Sequence, residues 1–341
     1  MNRRQFLFTT TLGFTAAFAA EVPKRRIPIG FLGATYSHGP PKIKIGMTSP
    51  DWDFVGVCDS SKVGRETCEK LGARLISQDE LLQRAEVVAV ESDIPDHAPH
   101  ALIAVKAGKH VHLEKPPAMR LSEMREIVAV ARQKKLLVQT GFMWRYHPGF
   151  NAILETVRKG WLGDVFLVRG FISNNLPAAR RAEWDDFKGG AMFELGSHLV
   201  DATVRLLGKP KAVTPFLRRH GRFDDSLKDN NVAVLEYDRA TAVLINTALQ
   251  AGASPARSFE VLGTNGAATL QPIEPPTLTI DLAKPAGPYK KGEQKVPLPA
   301  YQRYEGDFIE LAAAIRGERP LRVALDDELI VAETVLRVSH M

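Results

Sequence analysis

Two short segments of this 341-residue chain carry side chains able to move a proton and to stabilise a developing oxyanion. The first is Glu114-Lys115-Pro116, which closes the apolar run His110-Val111-His112-Leu113. The second runs from Gly189 to Asp201 and sets Glu194, His198 and Asp201 at i, i+4 and i+7. A parallel strand in a doubly wound sheet delivers its last residues to the crevice where nucleotides bind, so Lys115 is expected to face a cofactor, and Pro116 ends the strand by removing a donor. A helix through the second segment would line its three polar residues on one face. An ammonium and an imidazole of this kind point to redox chemistry on a polyol. Each segment alone also has an ordinary explanation, a solvated turn for the first and a solvated helix face for the second. With one imidazole and two carboxylates, and no second E-x-x-H or H-x-x-x-H element, no metal site is expected.

The elements that must position these groups follow from the apolar pattern. Ile27 to Gly33, Phe54 to Asp59, Glu86 to Glu91, His110 to Leu113 and Leu136 to Gly141 are short runs rich in β-branched residues, separated by stretches with helical spacing such as Leu121, Met124, Ile127, Val128 and Ala131. Such alternation predicts an α/β domain with a doubly wound parallel sheet over residues 27–145. After Pro148 the runs Val165-Arg169, Val232-Tyr237 and Ala242-Asn246 come in succession with short turns, which predicts an α+β domain with a mostly antiparallel sheet over residues 146–341. Two late helices close the chain, the first carrying Phe308, Leu311, Ala312 and Ile315 on one face.

The first turn of the parallel domain reads Gly33-Ala34-Thr35-Tyr36-Ser37-His38-Gly39. Dinucleotide sites place G-x-G-x-x-G here so that the backbone can approach the pyrophosphate at a helix N-terminus. Only Gly33 fits; Thr35 and His38 occupy the other two glycine positions. Asp59 strengthens the reading, because a carboxylate ending the second strand can accept hydrogen bonds from the adenosine ribose and would repel a 2′-phosphate, which favours NAD over NADP. Asp59 could also be a simple turn-forming residue before Ser60 and Ser61.

Composition bounds the partners. The formal charge of +6 owes much to Arg3, Arg4, Lys24, Arg25 and Arg26, and no basic block with interleaved aromatics occurs, so nucleic-acid binding is not expected. Cys58 and Cys68 lack metal spacing and read as packing residues. Asn2-Arg3-Arg4-Gln5-Phe6-Leu7 leads into an apolar stretch ending in Ala17-Phe18-Ala19-Ala20, which reads as a twin-arginine export signal over residues 1–20. Its apolar part is shorter than the roughly 20 residues that span a bilayer. The mature protein is therefore expected in the periplasm, free of the membrane.

Taken together, Ala107-Gly108-Lys109-His110-Val111, Glu114-Lys115-Pro116, Gly141-Phe142-Met143-Trp144-Arg145-Tyr146-His147-Pro148 and the Gly189 to Asp201 segment resemble the glucose-fructose oxidoreductase/inositol dehydrogenase (Gfo/Idh/MocA) family. The resemblance runs from about Ile27 to the end. It implies a Rossmann domain followed by an open, mostly antiparallel sheet that serves as a homo-oligomer interface, a nicotinamide cofactor, and a sugar or cyclitol substrate. Lys115 matches the lysine beside the nicotinamide, and His198 matches the general acid/base. Glu194 stands where the family usually has Asp, and is assigned to orienting His198 or the substrate. Gly33, Ala34, Thr35, Tyr36, Ser37, His38, Asp59, Ser92, Asp93, His97, Glu114 and Lys115 are expected to surround the cofactor, although Ser92-Asp93 replaces the usual Thr-Pro. Arg145, Tyr146, His147, Trp184 and Asp201 are expected to line the sugar pocket, each with core packing as the alternative.

Export constrains the chemistry further. An exported nicotinamide enzyme leaves its cofactor pool behind, so it should hold the dinucleotide tightly and regenerate it in place. Paired half-reactions on two sugars would do this; so would a redox-neutral cycle in which transient oxidation permits elimination, making a NAD-dependent glycoside-cleaving enzyme. A catalytically idle dinucleotide- or sugar-binding protein is the third possibility.

Overall fold

Five short apolar runs, β1 (Ile27–Leu32), β2 (Trp52–Cys58), β3 (Val87–Val90), β4 (His110–Leu113) and β5 (Val138–Thr140), pair side by side in the order β2-β1-β3-β4-β5, every pair parallel. The structure is a computed structural model that describes residues 24–341; the export signal expected over residues 1–20 lies outside the described residues. Helices α1 (Gly39–Thr48), α2 (Lys62–Leu71), α3 (Gln78–Arg84), α4 (Ile94–Lys106) and α5 (Leu121–Lys134) connect the strands and cover both faces of the sheet. Burial on both faces is why these strands read as unbroken apolar runs rather than alternating ones. The strand order reverses between β1 and β3, and the ends of these two strands meet there. Gly33 follows β1 with φ +86°, and a Cβ on it would fall 2.4 Å from the Cα of Ser92, the second residue after β3. Only glycine allows so close an approach at that backbone angle.

The second unit begins with α6 (Pro148–Arg158). Its sheet contains β6 (Val165–Ser173), β7 (Ala212–Arg218), β8 (Asn230–Glu236), β9 (Thr241–Thr247), β10 (Ser258–Gly263), β11 (Gly266–Leu270), β12 (Leu278–Leu282) and β13 (Gly292–Val296), in the order β13-β12-β11-β10-β6-β9-β8-β7. All neighbours are antiparallel except β6 and β9. The strands alternate buried and half-buried residues, as expected of a sheet with one covered face. The covered face packs on α7 (Ala178–Asp185), α8 (Gly190–Glu194) and α9 (Ser197–Leu207) in one core.

The division expected at residue 145 separates the two sheets but not the helices. Helix α10 (Glu305–Ile315) returns to the parallel sheet and packs Phe308, Leu311 and Ala312 among Ile27, Ile29, Phe31 and Trp52. Helix α11 (Leu325–Val338) places Ala332 on the opposite face of the same sheet and Val331, Val335 and Leu336 in the core of the second unit. The two units are stitched by their shared C-terminal helices.

Candidate active site

The turn after β1 sits between two hollows. Gly33 and Thr35 line a pocket of about 270 Å³ together with Asp59, Ser92, Asp93, Asp96 and His100, at the switch point of the parallel sheet. Ser37 and His38, further along the same turn, line a larger cavity of about 450 Å³. A long ligand laid across this turn would reach both. The Asp59 carboxylate is fixed in the smaller pocket by the backbone N–H groups of Ala34 and Ser61, each at 2.8 Å. The Gly33, Ala34, Tyr36 and Gly39 N–H groups are consumed internally, whereas those of Thr35, Ser37 and His38 have no partner among the described residues. Helix α1 opens on Pro40 and Pro41, which have no N–H to offer. The anion-binding donors expected from the helix N-terminus are thus supplied by the turn instead. A nicotinamide dinucleotide fits this donor set: carboxylate for ribose hydroxyls at one end, free N–H groups at the middle, and the larger cavity at the other end.

The larger cavity brings Lys115, Glu194 and His198 together, from β4 in the first unit and α8 and α9 in the second. Lys115 Nζ donates to Glu194 Oε1 at 2.7 Å and to the Glu194 carbonyl at 3.2 Å. Tyr36 donates its hydroxyl to the same Oε1 at 2.8 Å, and its ring lies 5.2 Å below the Lys115 ammonium. Tyr36 is therefore not a residue of the open turn but a support beneath the lysine. Burial pushes the Glu194 carboxyl up, yet Lys115 and Tyr36 outweigh it and hold the group below the usual carboxylate range. Glu194 consequently orients Lys115 and not His198, contrary to one of the roles expected for it.

His198 is 3% exposed, and packs against the rings of Phe142 and Trp144. Burial, then the charge of Lys115, holds its pKa well below the ordinary histidine value. It is an uncharged imidazole at neutral pH, ready to accept a proton. Its Nδ1 is buried without a hydrogen-bond partner, as is Glu194 Oε2. Two orphaned polar atoms at one cavity are what a missing polar ligand leaves behind. Trp184 also lines this cavity.

The expected continuous helix through Glu194, His198 and Asp201 does not form. The chain breaks between α8 and α9 at Leu195-Gly196, where a Cβ on Gly196 would meet Met192 Sδ at 2.5 Å and the Met192 carbonyl oxygen at 2.6 Å. Asp201 follows His198 on the same helix α9 but does not line the cavity; it accepts from Arg145 Nη2 at 2.7 Å. Arg145 in turn donates to Glu328 on α11 at 2.5 and 2.8 Å. Tyr146 donates to Glu310 on α10 at 2.6 Å, and His147 caps α6 through Nδ1 while its Nε2 meets the Ile273 carbonyl at 3.0 Å. None of Arg145, Tyr146, His147 and Asp201 lines the large cavity; Arg145, Tyr146 and Asp201 join elements at the junction between the units, and His147 braces the second unit internally. His97 likewise lines neither hollow, since its ring is held between the carbonyls of Pro116 and Ser92.

Glu114 is buried below the cavity rather than in it. It accepts from Lys42 Nζ and contacts His38 Nδ1 at 3.0 Å. Lys42 also donates to Glu91 at 2.9 Å and contacts His112 Nε2 at 2.9 Å. Glu91, His112 and Glu114 would have the spacing to hold a metal ion, with ligand atoms all within 4.8 Å of one another, but the Lys42 ammonium reaches all three. Sequence reasoning missed Lys42, although a signal existed: Gly39, Lys42, Ile43 and Gly46 form the buried stripe of α1, so helical spacing alone puts a lysine indoors. It also missed Arg180 on α7, and Asn174, Ser254, Arg257, Glu274 and Arg303 from the connecting segments, all of which line the cavity.

Buried histidines make stability depend on pH. His38, His97, His100, His110, His112, His147 and His198 all have pKa values lowered mainly by burial, His112 to about 3 and His147 to about 4. Against these seven, Glu91 and Asp307 are raised by burial to about 8 and about 7. Between about pH 6.5 and 4.5 the unfolded chain thus takes up more protons than the native one, and stability falls as pH falls. Urea unfolding at pH 7.5 and 5.0 should show a lower midpoint at the acid pH with little change in slope.

Residues 27–142 match an oxidoreductase family with an NAD-binding Rossmann fold, and residues 150–269 match the GFO/IDH/MocA C-terminal domain. The bovine (Bos taurus) trans-1,2-dihydrobenzene-1,2-diol dehydrogenase is 29% identical over 228 residues, which cover 65% of this chain and 64% of that protein. The D-glucoside 3-dehydrogenase of Escherichia coli (strain K12) is 31% identical over 176 residues, covering 48% of this chain and 49% of that protein. The chain spans 45% to 64% of the length of the bovine, human and mouse diol dehydrogenases it matches. A solved UDP-N-acetylglucosamine 3-dehydrogenase from Acidithiobacillus ferrooxidans superposes with a TM-score of 0.78 at 20% identity, over 93% of this chain and 97% of that one. At that identity the likeness shows the fold alone.

Proposed function

Because this chain belongs to the Gfo/Idh/MocA oxidoreductase family, we propose that it oxidises a secondary alcohol of a sugar or cyclitol, with NAD as the hydride acceptor. The observation that carries the reading is that Lys115 and His198 line one cavity, and that this cavity shares the Gly33 to His38 turn with the pocket holding Asp59. The nicotinamide, when bound, takes the hydride from the alcohol carbon. The chain's own groups handle the rest. Lys115, oriented by Glu194 and Tyr36, presents a cation to the alcohol oxygen and stabilises it as negative charge develops. The uncharged His198 accepts the hydroxyl proton. Trp184 offers an aromatic face to the apolar C–H surface of a ring.

NAD is favoured over NADP by the smaller pocket, whose only charged side chains at neutral pH are the carboxylates Asp59, Asp93 and Asp96. A 2′-phosphate would meet these three carboxylates, and the Arg65 guanidinium at the pocket rim is already donating to the Ser60 carbonyl. Binding titrations should show NAD held about tenfold or more tightly than NADP; equal affinity would remove this assignment.

A second reading has one observation in its favour. His38 lines the same cavity, is oriented by Glu114 through Nδ1, and is kept below the ordinary histidine pKa chiefly by burial. Once a ring hydroxyl is a ketone, the neighbouring C–H is acidified, and a second uncharged imidazole could take that proton and permit elimination of a glycosidic oxygen. Incubation with free sugars and aryl glycosides separates the readings: accumulating ketone supports net oxidation, and aglycone release without accumulating ketone supports redox-neutral cleavage.

We also take the leader as an export signal, on the strength of Arg3-Arg4 followed by an apolar stretch and small residues, and the mature protein as one that carries its dinucleotide tightly. The uncovered face of the second sheet bears Leu167, Phe171, Val232, Val234, Val243 and Ile245, all half-buried, next to Phe216 at 46% exposure. Such a face suits association of copies through the sheet. Placing a charge at its centre, Ile245→Lys, should shift the sedimentation profile toward a smaller species; an unchanged profile would place the interface elsewhere.

A further inference from the structure

The large cavity is lined by four cationic side chains, Lys115, Arg180, Arg257 and Arg303, and by two carboxylates, Glu194 and Glu274. Three of the cations are matched. Lys115 holds Glu194, Arg303 Nε donates to Glu274 at 2.8 Å, and Arg180 Nη2 reaches Glu183 on its own helix at 3.2 Å. Arg257 is different. Its Nε donates to the Ser173 carbonyl at 3.0 Å and its Nη2 to the Asn174 side-chain oxygen, both uncharged acceptors. Among the described residues no carboxylate lies within ion-pair distance of it. These two bonds fix the plane of a half-buried guanidinium at the cavity wall, with Nη1 left without a partner among the described residues.

A guanidinium drawn partly out of water costs free energy unless an anion offsets it. Its planar fork suits carboxylate and phosphoryl oxygens. Burial and the nearby Arg303 lower the Arg257 pKa against a smaller opposing pull from Glu194, which is not within ion-pair distance, and the Arg257 charge is felt at His198. An anion at Arg257 would therefore lie within the same chamber as the proton acceptor. We infer that the sugar taken by this site carries an anionic group, a carboxylate or a phosphoryl group, and that Arg257 receives it. This rests on reading the cavity as a sugar site.

Trp144 and Trp184 line the cavity, so intrinsic fluorescence reports binding without turnover. The purified mature chain, saturated with NAD, is titrated with D-glucuronate, D-galacturonate, their methyl esters, the parent hexoses and the hexose 6-phosphates. At least one anionic sugar should bind about tenfold more tightly than its neutral counterpart, equivalent to about 1.4 kcal/mol. A preference for the uronate identifies a carboxylate and a preference for the 6-phosphate identifies a phosphoryl group. Arg257→Met should erase that preference and Arg257→Lys should restore part of it, with thermal midpoints confirming that both variants fold. The inference is overturned if no anionic sugar outbinds its neutral counterpart, absence of all binding included, or if Arg257→Met keeps the preference. Dinucleotide titration on the same samples separates the failures: loss of sugar discrimination with NAD still bound removes only the anion, whereas a chain that binds no NAD removes the oxidoreductase reading itself.

Discussion

His198→Asn should lower turnover about a hundredfold or more while leaving dinucleotide affinity nearly unchanged, because it removes the proton acceptor and nothing that touches the Asp59 pocket. Asparagine roughly keeps the shape and the polarity of the site, so Phe142 and Trp144 keep a partner to pack on. Lys115→Met should have a loss of the same order with a further consequence. Glu194 would then be a 7%-exposed carboxylate with only the Tyr36 hydroxyl to satisfy it, so its pKa should rise and a new acid limb should enter the pH–rate profile. In the parent enzyme that limb should lie below the ordinary histidine range, because His198 stays uncharged well below it. Near-normal rates in either variant would reject the assigned roles.

The second large effect is on folding. Arg145 is 1% exposed and bridges Asp201 on α9 to Glu328 on α11, while the Thr140 N–H at the end of β5 also donates to Glu328. Arg145→Met leaves two buried carboxylates without their cation, a loss of about 3–5 kcal/mol in unfolding free energy. Chemical denaturation measures it directly. A substrate-binding arginine would give a different result, a raised KM in a protein of normal stability, so the same variant decides whether the position serves the sugar or the junction between the units.

That contrast shows where reading the sequence stops being enough. Leu32, Cys58, Val90, Leu113 and Thr140 end strands that are visible as apolar runs, and the chemistry of a lysine after one such run needs only the rule that parallel sheets bind ligands at their C-terminal ends. That Lys115 and His198 would share a site is expected only from the four segments taken together, since each segment alone also reads as a solvated turn or helix face; the structure places both at one cavity. Arg145, Tyr146 and His147 mislead: an Arg-Tyr-His run looks like a sugar contact, but its partners Glu328, Glu310 and Ile273 stand more than a hundred positions away. Asp201 misleads because one helix face can serve two neighbours: His198 on α9 lines the cavity, while Asp201, three residues on, is taken up by the buried Arg145. Arg257 is invisible locally, being a loop residue whose meaning depends on which carboxylates fail to reach it.

The most direct test is equilibrium dialysis of the purified chain against NAD, with total dinucleotide per chain quantified by mass spectrometry after acid release. The account predicts one dinucleotide per chain, whether carried through purification or taken up from the buffer, and the same stoichiometry in His198→Asn. A chain that holds none at millimolar NAD would contradict it.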